Sequence, residues 1–285
     1  MGEKINVKEI VARKKEELKE KVLKLKEKGI NPKLAVVLAS DDEASKIYVG
    51  KKRKMCEELG VEQEEYIFGK EATTEEVVRK VKELNEDKSV NGILVQLPLY
   101  HHIDMDEVLD SISASKDVDG FHPLTLGKLF IGEKETFIPC TPKGIITILD
   151  DIGFDCEGKH AVIVGRSRIV GKPISQILLK RGATVTICHS KTKDISIFTK
   201  QADILVAAVG RPHIITKDMV KEGAVVVDVG INRVNGKILG DVDTESVLPI
   251  CSKITPVPGG VGLTTVLSLL ENVVQATIEQ NKEGN

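Results

Sequence analysis

The chain is 285 residues long, enough for two domains each with its own core, and its formal net charge of −2 implies neither a nucleic acid nor an anionic membrane as partner. No uninterrupted apolar run approaches the roughly twenty residues that span a bilayer, and the opening residues hold neither a signal-peptide core nor a myristoylation serine. Five cysteines, scattered and forming no CxxC pair, predict a reduced, cytoplasmic protein.

Lys and Glu at helical spacing, with Ile10, Val11, Leu18, Val22 and Leu25 on the apolar face, predict a helix over residues 7–28 that Asn31 and Pro32 stop. LAVVLAS (34–40) reads as a buried strand. Asp41-Asp42-Glu43 then place acids in the first turn of a helix ending at Leu59-Gly60. A strand is expected near 64–69, and Thr73-Thr74-Glu75-Glu76 is a capping pattern that opens a helix to Asp87. GILVQLP (92–98) is the next strand, and residues 114–140, with glycines and prolines but no long period, read as a connector. A helix over 142–151 precedes strands near 161–165, 184–188, 203–208 and 224–229. ITPVPGGVG (254–262) reads as a loop, and the stretch from Thr264 to Asn281 as a closing helix. Strands alternating with helices predict an α/β fold with a mostly parallel sheet.

Between Ala161 and Lys191 an apolar strand, a glycine turn, a helix and a second strand form the pattern of a dinucleotide-binding corner. Gly165 opens the turn, Ser167 stands where GxGxxG has its second glycine, and Gly171 closes it. An NAD site places Asp or Glu about twenty residues past the turn, on the ribose 2′-hydroxyl. Here that position offers His189, Ser190 and Lys191, with Arg166 inside the turn itself. A 2′-phosphate finds donors and positive charge there, so the expected cofactor is NADP. The plainer alternative is a doubly wound domain whose glycines serve packing alone.

Tyr48 and Lys52 lie four apart on the second helix and share a face. An ordinary basic helix with one core-facing tyrosine explains the same pair. Gln96 sits at the carboxyl end of an apolar strand, where α/β sheets gather ligand sites, and needs hydrogen-bond partners among apolar neighbours. Nearby loop backbone could supply them. Asp119, in KDVDGFHP, is either functional or a turn residue, and Asp117 competes for any role given to it. His101-His102-Ile103-Asp104 fits no zinc spacing, and no metal is expected.

YVGKKRK (48–54), GILVQLPL (92–99), KDVDGFHP (116–123), PCTPKG (139–144), IVGRSRIVGKP (163–173), TVTICHSKT (184–192), VVDVGIN (226–232) and TPVPGGVG (255–262) occur in order. Together they resemble the bifunctional methylenetetrahydrofolate dehydrogenase/methenyltetrahydrofolate cyclohydrolases of the FolD type, over about residues 7–280. The resemblance implies a folate-binding catalytic domain over 1–139, a Rossmann-like NADP-binding domain over 140–265, and a last helix (266–285) returning to the first domain. It implies that Lys52 is the catalytic lysine, Gln96 its hydrogen-bond partner, Tyr48 a ring stacking on folate and Asp119 the carboxylate gripping the pterin. Pro258 and Gly259 match a loop closing over the folate. Gly165, Arg166, Ser167, Ser190 and Ile231 match positions lining the NADP site. Family members are typically homodimers built on the cofactor domains. Five positions depart from the family pattern: Tyr100, Ala114, Thr125 and the pair Leu263-Thr264.

Such an enzyme oxidises 5,10-methylenetetrahydrofolate with NADP and hydrolyses the methenyl product to the 10-formyl form. A lysine whose pKa is lowered by burial, with Lys51, Arg53, Lys54 and the cationic substrate as candidate sources of like charge, would serve the hydrolysis near neutral pH. Two other readings use the same residues: an NADP-dependent dehydrogenase for another small substrate, in which Asp119 has no special role, and a non-catalytic NADP-binding subunit.

Overall fold

A computed structural model describes residues 2–133 and 136–282. The chain divides into two compact units. One comprises Arg13–Lys128 with Glu133–Cys140 and the chain from Val266 on; the other comprises the chain up to Ala12 with Leu129–Gly132 and Thr141–Thr265.

In chain order the elements begin with β1 (Glu3–Lys4), α1 (Val7–Lys26), β2 (Lys33–Leu38), α2 (Glu43–Leu59), β3 (Glu62–Ile67), α3 (Thr74–Glu86), β4 (Gly92–Gln96) and α4 (Met105–Asp110). Next come α5 (Pro123–Ile131), α6 (Cys140–Asp151), β5 (His160–Val164), α7 (Gly171–Lys180), β6 (Thr184–Cys188), α8 (Ser196–Thr199) and β7 (Ile204–Ala207). The chain ends with β8 (Val225–Asp228), β9 (Asn232–Val234), β10 (Lys237–Leu239), α9 (Thr244–Val247), β11 (Lys253–Ile254) and α10 (Val261–Lys282).

The unit starting at Arg13 is built on a parallel sheet of order β3-β2-β4. Central β2 is buried on both faces, so its sequence reads as an unbroken apolar run. Edge strand β3 carries Glu62, Glu64 and Glu65 instead, and charge on an edge discourages further pairing. That polar register is why the strand begins at Glu62, earlier than the apolar residues suggest. Val77, Val81 and Leu84 of α3 pack with Val37, Ile93 and Val95 in the core. The Thr73–Glu76 capping box forms as the sequence predicts.

The other unit is a six-stranded sheet of order β1-β11-β8-β7-β5-β6, parallel throughout. β1 belongs here because it pairs with β11, so the residues up to Ala12 cluster with this unit, whereas the sequence assigned them to the first domain. The stretch 114–140 is more than a connector: Pro123 opens helix α5, a first-turn position that suits proline. The hairpin β9–β10 turns at Asn235-Gly236, both at positive φ, the commonest short-range hairpin signal.

Helix α10 is 22 residues long and apolar enough in composition to cross a membrane, which a count of consecutive apolar residues does not register. Its Leu269, Leu270, Val273 and Val274 are buried, as in the core helix of a globular protein.

Candidate functional site

The first constellation lies at the carboxyl ends of β2 and β4. Helix α2 starts there because Asp42 accepts a hydrogen bond from the Ser45 backbone at 2.7 Å, and Gly60 ends it in the left-handed conformation. The helix presents Tyr48 and Lys52, both partly buried, one turn apart. Lys52 Nζ donates to Gln96 Oε1 at 2.8 Å, and Gln96 Nε2 donates to the Leu97 carbonyl at 2.7 Å, which fixes the amide's orientation.

Burial pushes the Lys52 ammonium below the usual lysine range, while Asp119 and the thiols of Cys140 and Cys56 pull it back up. The cations expected to help are not the cause. Arg53 is bound twice to Glu65, at 2.8 and 2.6 Å, and Lys51 stands 5.5 Å above the Tyr48 ring. Burial likewise raises the Asp119 carboxyl, against the Lys52 charge and a hydrogen bond from Cys140. The two groups therefore relieve each other's desolvation.

Asp117 no longer competes with Asp119. Its carboxylate accepts from the backbone N–H groups of Gly120, Phe121 and His122 at 3.2, 3.1 and 2.9 Å, and burial pushes it up to about 6. It is the turn residue of this loop. Among the described residues no group of three His, Cys, Asp or Glu side chains is placed to hold a metal, and His102 Nε2 lies 2.9 Å from the Ala72 carbonyl.

The second constellation is a cavity of about 540 Å³ within the other unit, lined among others by Gly165, Arg166, Ser167, His189 and Ser190. Gly165 has φ +130°, and a Cβ there would lie 2.3 Å from the Ala208 carbonyl oxygen. Gly171 is closed to a side chain too, because its Cβ would meet the Gly165 carbonyl oxygen at 2.2 Å. Turn and helix therefore touch through backbone, and the Lys172 N–H donates to the Ser167 carbonyl at 3.1 Å. Ser167 Oγ accepts from Val170 and Gly171 N–H at 3.1 and 3.4 Å, so the serine is a structural part of the turn.

Lys193 and Arg211 also line the cavity, and Lys191, expected there, does not. The Lys191 N–H instead donates to His189 Nδ1 at 3.1 Å. Gly171 and Ile231 are not among the lining residues either; Ile231 is an exposed residue whose Cδ1 lies 3.6 Å from a Cβ built at Gly262. Pro258 and Gly259 follow β11, with Pro258 exposed and Gly259 at φ +98°.

The cavity wall at 209–211 is held by Asp241, which accepts from the N–H groups of Val209, Gly210 and Arg211 at 2.7, 3.0 and 2.9 Å. Asp228 in turn accepts from Gly230, Asp241 and Val242 N–H groups at 2.9, 2.9 and 3.0 Å. Sequence reasoning missed both carboxylates. The signal for Asp228 was its place at the carboxyl end of a parallel strand; Asp241 had none.

Residues 139–281 match the tetrahydrofolate dehydrogenase/cyclohydrolase NAD(P)-binding domain, and residues 5–119 match the catalytic domain of the same family. The chain belongs to the tetrahydrofolate dehydrogenase/cyclohydrolase family. It is 52% identical over 272 residues to the bifunctional protein FolD of Halalkalibacterium halodurans, covering 95% of this chain and 97% of that protein. The crystal structure of the bifunctional FolD methylenetetrahydrofolate dehydrogenase/cyclohydrolase from Campylobacter jejuni superposes with a TM-score of 0.96 at 50% identity, covering 98% of this chain and 99% of that one. The Trypanosoma brucei FolD, solved with NADP and an inhibitor, gives 0.94 at 33% identity, covering 99% of both chains.

Among the residues that depart from the family pattern, Thr125, Thr264 and Tyr100 have local explanations. Thr125 is buried and its hydroxyl hydrogen-bonds the Asp117 carboxylate, so the donor is kept. Thr264 is fully buried, and a Cβ at Gly144 would meet its Oγ1 at 2.3 Å, so it packs against α6. Tyr100 stacks on His102 with centroids 5.8 Å apart. Nothing in the structure explains Ala114.

The donors around the cavity fit a dinucleotide with a phosphorylated ribose. Arg166→Ala or Ser190→Ala is expected to raise KM for NADP by at least about tenfold, the scale of one charge-assisted hydrogen bond, with far less change for NAD. Steady-state kinetics with both cofactors reads it, and equal effects on the two would remove the 2′-phosphate from this corner.

Proposed function

We propose that this chain oxidises 5,10-methylenetetrahydrofolate with NADP and hydrolyses the resulting methenyl compound to 10-formyltetrahydrofolate, with Lys52, Gln96, Tyr48 and Asp119 as its folate-site residues. Pro258 and Gly259 close on the folate, and Gly165, Arg166, Ser167, Gly171, Ser190 and Ile231 serve the cofactor. The observation that carries the reading is the 2.8 Å contact between the desolvated Lys52 amine and the Gln96 amide.

Bound NADP supplies the acceptor for the hydride that leaves the folate methylene carbon. The cation left behind is delocalised over the two folate nitrogens, so this step asks the chain mainly for alignment. Tyr48 offers a ring face for the pterin, braced on one side by Lys51. Asp119 offers two acceptor oxygens to the N–H edge of the aminopyrimidinone.

Hydrolysis needs a proton taken from water as it attacks the amidinium carbon, and a proton given to the nitrogen that leaves. Neutral Lys52 can take the first, and the ammonium so formed can give the second. The Gln96 oxygen accepts from the lysine in both states and favours neither by charge. Asp119 does favour the charged state, so the amine's acidity is a balance between burial and this one anion.

Lys52→Met keeps the bulk and removes the proton carrier. It is expected to lower cyclohydrolase turnover by at least about a hundredfold, the usual scale for a general acid–base group, and to lower hydride transfer much less. A purified variant that hydrolyses the methenyl substrate at the wild-type rate would refute the role.

Cyclohydrolase turnover at saturating substrate is expected to rise with pH as Lys52 loses its proton, with a midpoint below the ordinary lysine value of 10.5. Asp119→Asn removes the anion that favours the ammonium, so the midpoint moves to lower pH. A midpoint that stays or rises contradicts the balance.

We read the protein as a cytoplasmic homodimer. Its five cysteines are buried and free. Among the described residues strand β6 ends its sheet with an unpaired edge and carries an exposed Ile187, the kind of edge that pairs with a second copy. Sedimentation equilibrium is expected to give twice the 31.1 kDa chain mass, and Ile187→Lys to shift it toward the monomer. A monomeric wild type at micromolar concentration ends the idea.

A further inference from the structure

Asp119 lies in a loop whose backbone is pinned almost residue by residue. Lys116 Nζ is buried and donates to the carbonyls of Leu84 and Asp87 at 2.9 and 2.7 Å, tying the loop to the end of α3. Asp117 gathers the three N–H groups beyond it. Gly120 has φ +80°, and a Cβ there would lie 2.8 Å from the Pro139 nitrogen, so the loop and the segment before Cys140 meet backbone to backbone.

That meeting brings together two groups that cannot satisfy each other. The carbonyls of Val118 and Ile138 are both acceptors, and neither can donate. A side chain from the last helix supplies the missing protons. Asn272 of α10, fully buried, donates its amide to Val118 O at 2.8 Å and to Ile138 O at 2.9 Å. A primary amide has two N–H bonds on one nitrogen, which is the chemistry this bridge needs. The Cys140 thiol approaches the same Val118 carbonyl at 3.4 Å and also hydrogen-bonds the Asp119 carboxylate. The peptide carbonyl immediately before Asp119 is thus held by Asn272, and the thiol beside its carboxylate belongs to the second segment in the bridge.

We propose that Asn272 is a positioning residue for folate binding: its amide bridges Val118 and Ile138 and thereby sets where the Asp119 carboxylate stands relative to Lys52. The proposal rests on the assignment of Asp119 and Lys52 to the folate site. Asn272 itself need not touch substrate.

Asn272→Leu keeps a similar volume and removes both donors. The variant is expected to raise KM for 5,10-methylenetetrahydrofolate about tenfold, equivalent to the loss of about one net hydrogen bond, while KM for NADP stays within about twofold. General loosening would not separate the two substrates in this way. The decisive comparison is the double variant Asp119→Ala/Asn272→Leu: if Asn272 acts through Asp119, its folate KM equals that of Asp119→Ala alone. A wild-type folate KM in Asn272→Leu, or effects that multiply in the double variant, overturns the proposal while leaving the site assignment standing. An unchanged folate KM in Asp119→Ala removes the assignment and the proposal together. Should Asn272→Leu fail to fold by circular dichroism, Asn272→Ser, which keeps one donor, takes its place in the same comparison.

Discussion

An amine taken out of water and held by an uncharged amide is the constraint around which the first unit is arranged. A charged lysine buried alone is expensive, by several kcal/mol, so the site must either neutralise Lys52 or compensate it. It does some of both. Gln96 takes one N–H without adding charge, and Asp119 stands close enough to oppose the effect of burial. The capped start of α2 fixes the lysine's height on its helix, and the end of β4 fixes the amide facing it. A chain that paired Lys52 directly with a carboxylate would hold the ammonium more firmly.

The dinucleotide unit uses buried charge in the opposite sense. Asp228 and Asp241 each collect three backbone N–H groups, so their charge fixes loops. Burial, with the neighbouring Asp241 charge adding, pushes Asp228 up to about 6 despite those bonds. The result is a wall at 209–211 with its backbone N–H groups pinned, beside a glycine turn that has no room for a side chain. Exposed cationic side chains, Arg166 and Lys193 among them, line the same cavity.

What the sequence revealed follows from how each signal is encoded. Capping residues act locally, so Gly60 and the Thr73–Glu76 box were readable in place, whereas Asp42, read as an acid of the first turn, is the N-cap before it. Parallel strands buried on both faces are apolar runs, and β2, β4, β5, β7 and β8 were found within a residue or two. Edge strand β3 and the two-residue β1 carry no such run, because what defines them is a partner far away in the chain. The hairpin at Asn235-Gly236 has its turn signal in the sequence, but its three-residue strands are too short to show a period. At the site, spacing and position singled out Lys52, Gln96 and the Arg166 turn without deciding against plainer readings, and the resemblance supplied the roles proposed for them. The choice between Asp117 and Asp119 was not, since it depends on which carboxylate the backbone of 120–122 occupies. Nor could spacing show that Asn272, more than 150 residues on, meets Val118.

Gln280 of α10 donates to the carbonyls of Asn91 and Ser115, and the Asn91 amide donates to Gln280 in return. With Asn272, this means that the unit holding Lys52 is finished by a helix that follows the nucleotide-binding segment in the chain. On a translating ribosome the strands β2–β4 emerge early, yet their completing helix appears only after the whole nucleotide-binding half has been made. The unit holding β2–β4 must therefore remain unsealed while the later strands fold, and the sheet that is synthesised whole first belongs to the unit completed last.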